Sequence, residues 1–136
     1  MPYTDTVTAM LTDRLGPDAL TALRRERNHP TVVRSALAEH LHDAARHASR
    51  REEEVLRHTR TLHDHLTRAL SDLGCARTPT RWELVGASGT AIDQATARYG
   101  EAIDRLHDTL HLYTETATHL TTPAAPEPDA AAPPVA

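Results

Sequence analysis

The spacing of apolar residues predicts two long helices. Between Thr31 and Leu73 the chain contains neither proline nor glycine, and its apolar residues recur at steps of three and four, the period of one helix face. A second stretch from about residue 80 to Leu120 has the same period. From Tyr99 onward its apolar residues follow the heptad spacing of a coiled-coil seam. Because only a short break separates the stretches, we expect an antiparallel hairpin.

Two shorter helices are predicted before the hairpin, each ended by residues that break helices. The first covers about residues 4–15 and stops at Gly16-Pro17, and the second covers about residues 18–27 and stops before Pro30. With long helices at about 31–73 and 80–120, the fold class is all-α, a long antiparallel helical hairpin with two short N-terminal helices. Residues 1–120 are predicted to form one bundle of three to four helices.

The last segment, residues 121–136, has a different composition. It contains five of the nine prolines and almost no large apolar side chain. Such a segment cannot bury enough surface to offset the entropy lost on ordering. We predict a disordered Pro/Ala-rich tail whose removal leaves folding intact.

Composition indicates a thin core. The chain has no Phe, one Trp and three Tyr, so leucine and alanine must form most of the interior. Small cores of this kind favour burial of further surface between subunits, and we expect a homo-oligomer. All 15 basic residues are arginine, and alanine, threonine and histidine are abundant, a composition typical of GC-rich actinobacterial genomes.

Charge and cysteine content limit the kinds of partner and the cellular compartment that we expect for this protein. The formal net charge is −4 and no segment is strongly basic, which makes nucleic acid an unlikely partner. One cysteine permits no internal disulfide, and neither a secretory signal pattern nor a run of 18 apolar residues occurs. These features predict a cytoplasmic protein without a membrane partner.

One group of side chains has the spacing of metal ligands. Glu39 and His42 are three residues apart, and His107 and His111 are four apart, so each pair shares a helix face. A turn near residue 76 brings His42 level with His111. One carboxylate and three imidazoles suit zinc or iron. A di-iron bundle uses a Glu on each of two helices and a Glu-x-x-His motif on two others, and the two predicted long helices contain a single Glu-x-x-His. We therefore predict no metal and no cofactor.

The sequence offers no catalytic residue, and its remaining candidates concern interactions. Residues 4–27 have the length of a helix-turn-helix, with Arg24, Arg25 and Arg27 on the second helix. Glu52 interrupts the apolar stripe of the first long helix. The candidates for a partner interface lie on the second long helix: Trp82, Gly86, Gly89, Tyr99 and Tyr113.

These observations favour a non-enzymatic helical interaction or assembly-adaptor protein that acts through protein–protein contacts with a partner or with itself. The alternatives are a metal-binding helical bundle that uses the Glu/His group, and a small DNA-binding regulator that uses the N-terminal helices.

Overall fold

The computed structural model describes residues 2–74 and 80–121, without the side chains of residues 80, 81, 120 and 121. Its helices are α1 (Asp5–Leu15), α2 (Ala19–Arg27), α3 (Val32–Gly74) and α4 (Thr80–Thr121). The predicted all-α helical hairpin is confirmed, with helix ends within one or two residues of the expected positions. The predicted tail lies outside the described residues, apart from Thr121, which ends α4.

Helices α3 and α4 pair along their length in the predicted register. Nδ1 of His65 lies 2.9 Å from Oγ of Ser88, and the Arg98 guanidinium donates a 3.1 Å hydrogen bond to Glu54. Each pair is nearly equidistant from residue 76. The position of the turn in the sequence therefore fixes which residues of the two helices are level.

The large buried side chains are concentrated at the end of the hairpin remote from the turn. There α1 and α2 pack across one face of the α3–α4 hairpin as a second layer. We call residues 32–52 of α3 and 100–121 of α4 the proximal half. The buried cluster consists of Tyr3, Val7, Leu11, Ala19, Leu23, Ala38, Leu41, Ala44, Ala45, Ala48, Ala102, Leu106 and Leu110.

The rest of the hairpin, which we call the arm, consists of α3 and α4 without the layer that α1 and α2 add in the proximal half. It comprises residues 53–74 of α3 and 80–99 of α4. Among its described side chains only Ala69, Ser88 and Ala95 are buried, and all three are small. Two helices alone can bury a narrow seam, so the larger apolar side chains of the arm stay partly in solvent.

The glycines of α4 neither break the helix nor bring α3 close. Helix α4 is continuous from Thr80 to Thr121. A Cβ atom added at Gly86 or Gly89 would meet nothing within 4 Å. Packing within the chain therefore does not require glycine at either position.

We expect Gly86→Ala to raise the free energy of unfolding by about 0.5–1 kcal/mol, because glycine is a poor residue inside a helix and the site has room. Urea denaturation at one protein concentration measures the change. Gly100→Ala is the matched control, since Gly100 is also exposed in α4 with open space around it. A loss of stability in Gly86→Ala alone would contradict this account.

Candidate functional site

The four candidate metal ligands face different surroundings. Glu39 pairs with Arg27 of α2, with Nε and Oε2 2.6 Å apart, and His42 is buried and hydrogen-bonded to the Tyr3 hydroxyl. His107 and His111 are exposed on α4, where His111 lies 3.3 Å from Glu115. Within residues 2–74 and 80–121, no three His, Cys, Asp or Glu side chains are grouped closely enough to hold a metal ion.

The pKa values of Glu39 and His42 are shifted by their surroundings. The hydrogen bond from Arg27 lowers the pKa of Glu39 below its usual value. Burial lowers the pKa of His42, and the nearby charge of Arg27 acts in the same direction. Near pH 7 Glu39 is therefore ionised and His42 neutral.

The state of His42 predicts a pH dependence of stability. In the unfolded chain histidine titrates near pH 6.5, whereas the folded pKa is lower, so between the two values the unfolded chain binds more protons. Stability is then complete above about pH 6.5 and declines as the pH falls through the folded pKa. Urea denaturation of wild type and His42→Gln from pH 7.5 to 5 should show a weaker decline in the variant.

The exposed neighbour His40 supplies the control for this comparison. His40→Gln should retain the pH dependence of the wild type. If His42→Gln and the wild type lose stability in parallel across this pH range, His42 does not control the decline.

The N-terminal segment is fixed to α3 by polar contacts in addition to apolar burial. The Thr4 amide donates to Oγ of Ser49 at 3.0 Å, and the hydroxyls of Thr4 and Thr6 both donate to Glu52, the latter at 2.6 Å. Glu52, which interrupts the apolar stripe in the sequence, thus accepts hydrogen bonds from the residues at the start of α1. These contacts set where α1 lies along the hairpin.

Sequence reasoning missed the role of Tyr3, which precedes the first helix and carries no periodic signal. Thr4 is the N-cap residue of α1, but its hydroxyl accepts no capping hydrogen bond from the helix and instead donates to Glu52. Only the fold brings these residues next to α3. Glu52 was visible as a break in the stripe, and that break was the one available signal.

One heptad row on α3 continues from the covered half of the hairpin into the arm. In the proximal half, its members His42, Ser49 and Glu52 contact the N-terminal segment. The row continues at the same steps of three and four beyond Glu52. Its arm positions are Leu56, Thr59, His63, Leu66, Leu70 and Leu73.

Helix α4 has a matching row on the same side of the hairpin. In the proximal half its members Ile103 and Tyr113 pack against the buried cluster. Its arm positions are Trp82, Val85, Gly89, Ile92, Thr96 and Tyr99. We call the twelve arm positions of the two rows the distal face.

The distal face is mostly apolar, and several of its large side chains are exposed. Leu70 and Leu73 are 61% and 60% exposed, and Trp82 is 40% exposed. None of the twelve positions is Arg, Asp or Glu, although the arm carries charged residues on its other surfaces. Large apolar side chains collected on one face indicate an interaction surface.

The opposite face of the arm is polar. There Glu54 accepts from both Arg51 and Arg98, and His65 bonds to Ser88. Leu84 is 49% exposed; at 100° per residue it lies about 160° around α4 from Trp82, away from the distal face. An isolated exposed leucine of this kind is ordinary.

The remaining candidates lie in the proximal half. Tyr113 is half-buried and lines an apolar opening of about 190 Å³ beside α2. This volume is smaller than the roughly 300 Å³ at which drug-sized sites begin. In α2, Arg27 is held by Glu39, while Arg24 and Arg25 are exposed. Of the five interface candidates, Trp82, Gly89 and Tyr99 are on the distal face and Gly86 is beside it.

No described helix is long and apolar enough to cross a membrane. No protein-family model matches the chain, and neither the curated proteins nor the solved structures contain a match.

Proposed function

We propose that this chain is a non-enzymatic helical interaction protein of the cytoplasm, which joins other protein chains through the distal face. The observation that carries the proposal is the abrupt change in cover along one face of the hairpin. In the proximal half this face is covered by α1 and α2, whereas in the arm Leu56, Leu70, Leu73 and Trp82 of the same face are exposed.

Energetics support a protein partner for this surface. Burial of apolar surface contributes about 25 cal/mol per Å², and Leu56, Leu70, Leu73 and Trp82 are all substantially exposed. An amphipathic helix or helix pair would cover them with the same packing that α1 and α2 provide nearby. The twelve positions of the distal face include no Arg, Asp or Glu, and the one histidine among them, His63, lies 3.8 Å from Asp64. A partner on this face would therefore bury no carboxylate or guanidinium from these positions.

Site-specific photocrosslinking in the source cells tests the proposal. A photoreactive benzophenone amino acid at Leu70 should yield adducts with protein, because Leu70 belongs to the distal face. The same amino acid at Leu84 is the matched control, with similar exposure on the other side of the arm. Equal labelling from both positions, or none from either, would contradict the proposal.

A further inference from the structure

We propose that the partner of the distal face is a second copy of this chain, joined arm to arm about a twofold axis with the two hairpin turns at opposite ends. This inference rests on the proposed function, since it names the occupant of the same surface. In the pair, α3 contacts the partner's α3 and α4 contacts the partner's α4, all antiparallel.

The size of the distal face fits such a pair. From Leu56 to Leu73, α3 rises about 26 Å at 1.5 Å per residue. Two helices packed 8–10 Å apart make a face about 20 Å wide. The projected area is roughly 500 Å², and the accessible surface of interlocking side chains is larger, so each subunit approaches the ~800 Å² of a standard interface.

The relative direction of the two copies follows from the position of α1 and α2. These helices form a layer over the proximal half, on the same side of the hairpin as the distal face. If both turns pointed the same way, two such layers would lie between the hairpins and hold them about 30 Å apart, three times the ~10 Å spacing of packed helices. When the two turns lie at opposite ends, the arm of each copy lies in the same layer as α1 and α2 of the other copy and extends that layer along the hairpin.

This arrangement gives Gly89 a role. The middle of the distal face on α3 is near His63, and the level position on α4 is Gly89, close to the His65–Ser88 contact. The twofold axis therefore passes near both residues, and α4 crosses the partner's α4 at Gly89. A glycine at a crossing point permits close approach of two helices, which explains an open glycine inside a helix.

Sedimentation equilibrium on the purified full chain tests the pairing. The wild type should be a dimer at micromolar concentration, and Leu70→Asp should weaken dimerisation by about 100-fold or more, because a carboxylate would enter an apolar interface. Leu84→Asp should leave the dimer unchanged. Gly89→Leu should also weaken it, whereas Gly86→Leu, beside the face, should not. Circular dichroism verifies that each variant is folded.

Trp82, the only tryptophan, supplies a readout that needs no substitution. It is 40% exposed in the single chain and becomes covered in the pair. Its emission should move to longer wavelength as the wild type is diluted, with the midpoint that sedimentation gives. An emission maximum independent of concentration across that midpoint would overturn the proposal.

Disulfide trapping in a Cys75→Ser background tests the orientation. His63→Cys near the twofold axis should form a cross-linked dimer on mild oxidation. Leu73→Cys should not, because opposite turns place the two copies of residue 73 roughly 27 Å apart, well beyond the ~7 Å that a disulfide can span. Cross-linking through Leu73→Cys in preference to His63→Cys would overturn the antiparallel arrangement.

The outcomes separate this inference from the function on which it rests. A wild type that is monomeric at micromolar concentration, together with photocrosslinks from Leu70 to a different protein, overturns self-pairing and leaves the proposed function standing. A monomer with no photocrosslink from Leu70 overturns both. Equal loss of the dimer in Leu70→Asp and Leu84→Asp overturns the assignment of the face.

Discussion

Replacing Leu110 by alanine should lower the free energy of unfolding by about 3 kcal/mol. Leu110 is fully buried in the cluster between the hairpin and the N-terminal helices. Truncation removes its apolar contacts and leaves a cavity that surrounding residues fill only partly. Urea denaturation followed by circular dichroism measures the loss at one fixed protein concentration, since association would make stability depend on concentration.

The control for Leu110→Ala is the same substitution two residues further along. Leu112 is 49% exposed on α4, and Leu112→Ala should cost less than about 1 kcal/mol because little apolar surface is at stake. Alanine is a better helix former than leucine at both positions, so the contribution of helix propensity is the same in the two variants and does not affect their comparison. Similar losses in the two variants would contradict the assigned core.

Placing a carboxylate at Val7 should detach α1 and α2 from the hairpin. Val7 is fully buried on the side of α1 that faces the hairpin. An ionised aspartate there would lose its hydration without gaining a partner. We expect Val7→Asp to cost about 3 kcal/mol and to expose α1 and α2 to proteases, while α3 and α4 keep most of the helical signal. Limited proteolysis with mass spectrometry locates the cleavage sites.

Ala9→Asp is the matched control for Val7→Asp, because Ala9 lies two residues away on the exposed side of α1. It introduces the same charge into the same helix but into water. Protection of α1 should stay at the wild-type level. If Val7→Asp is as resistant to cleavage as Ala9→Asp, α1 does not dock through its Val7 face.

The helices and their pairing could be predicted because local signals specify them. The long stretch without proline or glycine predicted the length of α3. The position of the short break between the two long helices predicted their register, which the contact between His65 and Ser88 shows. Leu41, Leu106 and Leu110 were on the predicted stripes and are buried. Each of these results depends on residues that are near in sequence or related by one turn.

The placement of the N-terminal helices could not be predicted, since it depends on contacts between distant residues. Tyr3 meets His42 and Thr4 meets Ser49, and no periodic pattern links these positions. The same contacts explain why Glu39 and His42 do not form a ligand pair: the fold supplies each with a different partner, Arg27 and Tyr3. The exposed arm positions of the α3 row could be recognised as a surface only from the structure, because it shows the N-terminal segment covering the proximal positions of the same row.

The gradient of packing along the hairpin has a consequence for how the chain folds. Residues of the arm near the turn are close in sequence but bury little, whereas Leu41 and Leu110 belong to the same buried cluster although roughly 70 residues separate them. Closing a loop of that length costs substantial chain entropy. Pairing that starts at the turn and extends through the arm divides this loss into small steps. The weakly packed arm can thus guide the assembly of the core, and its late stabilisation by a second chain would leave this order unchanged.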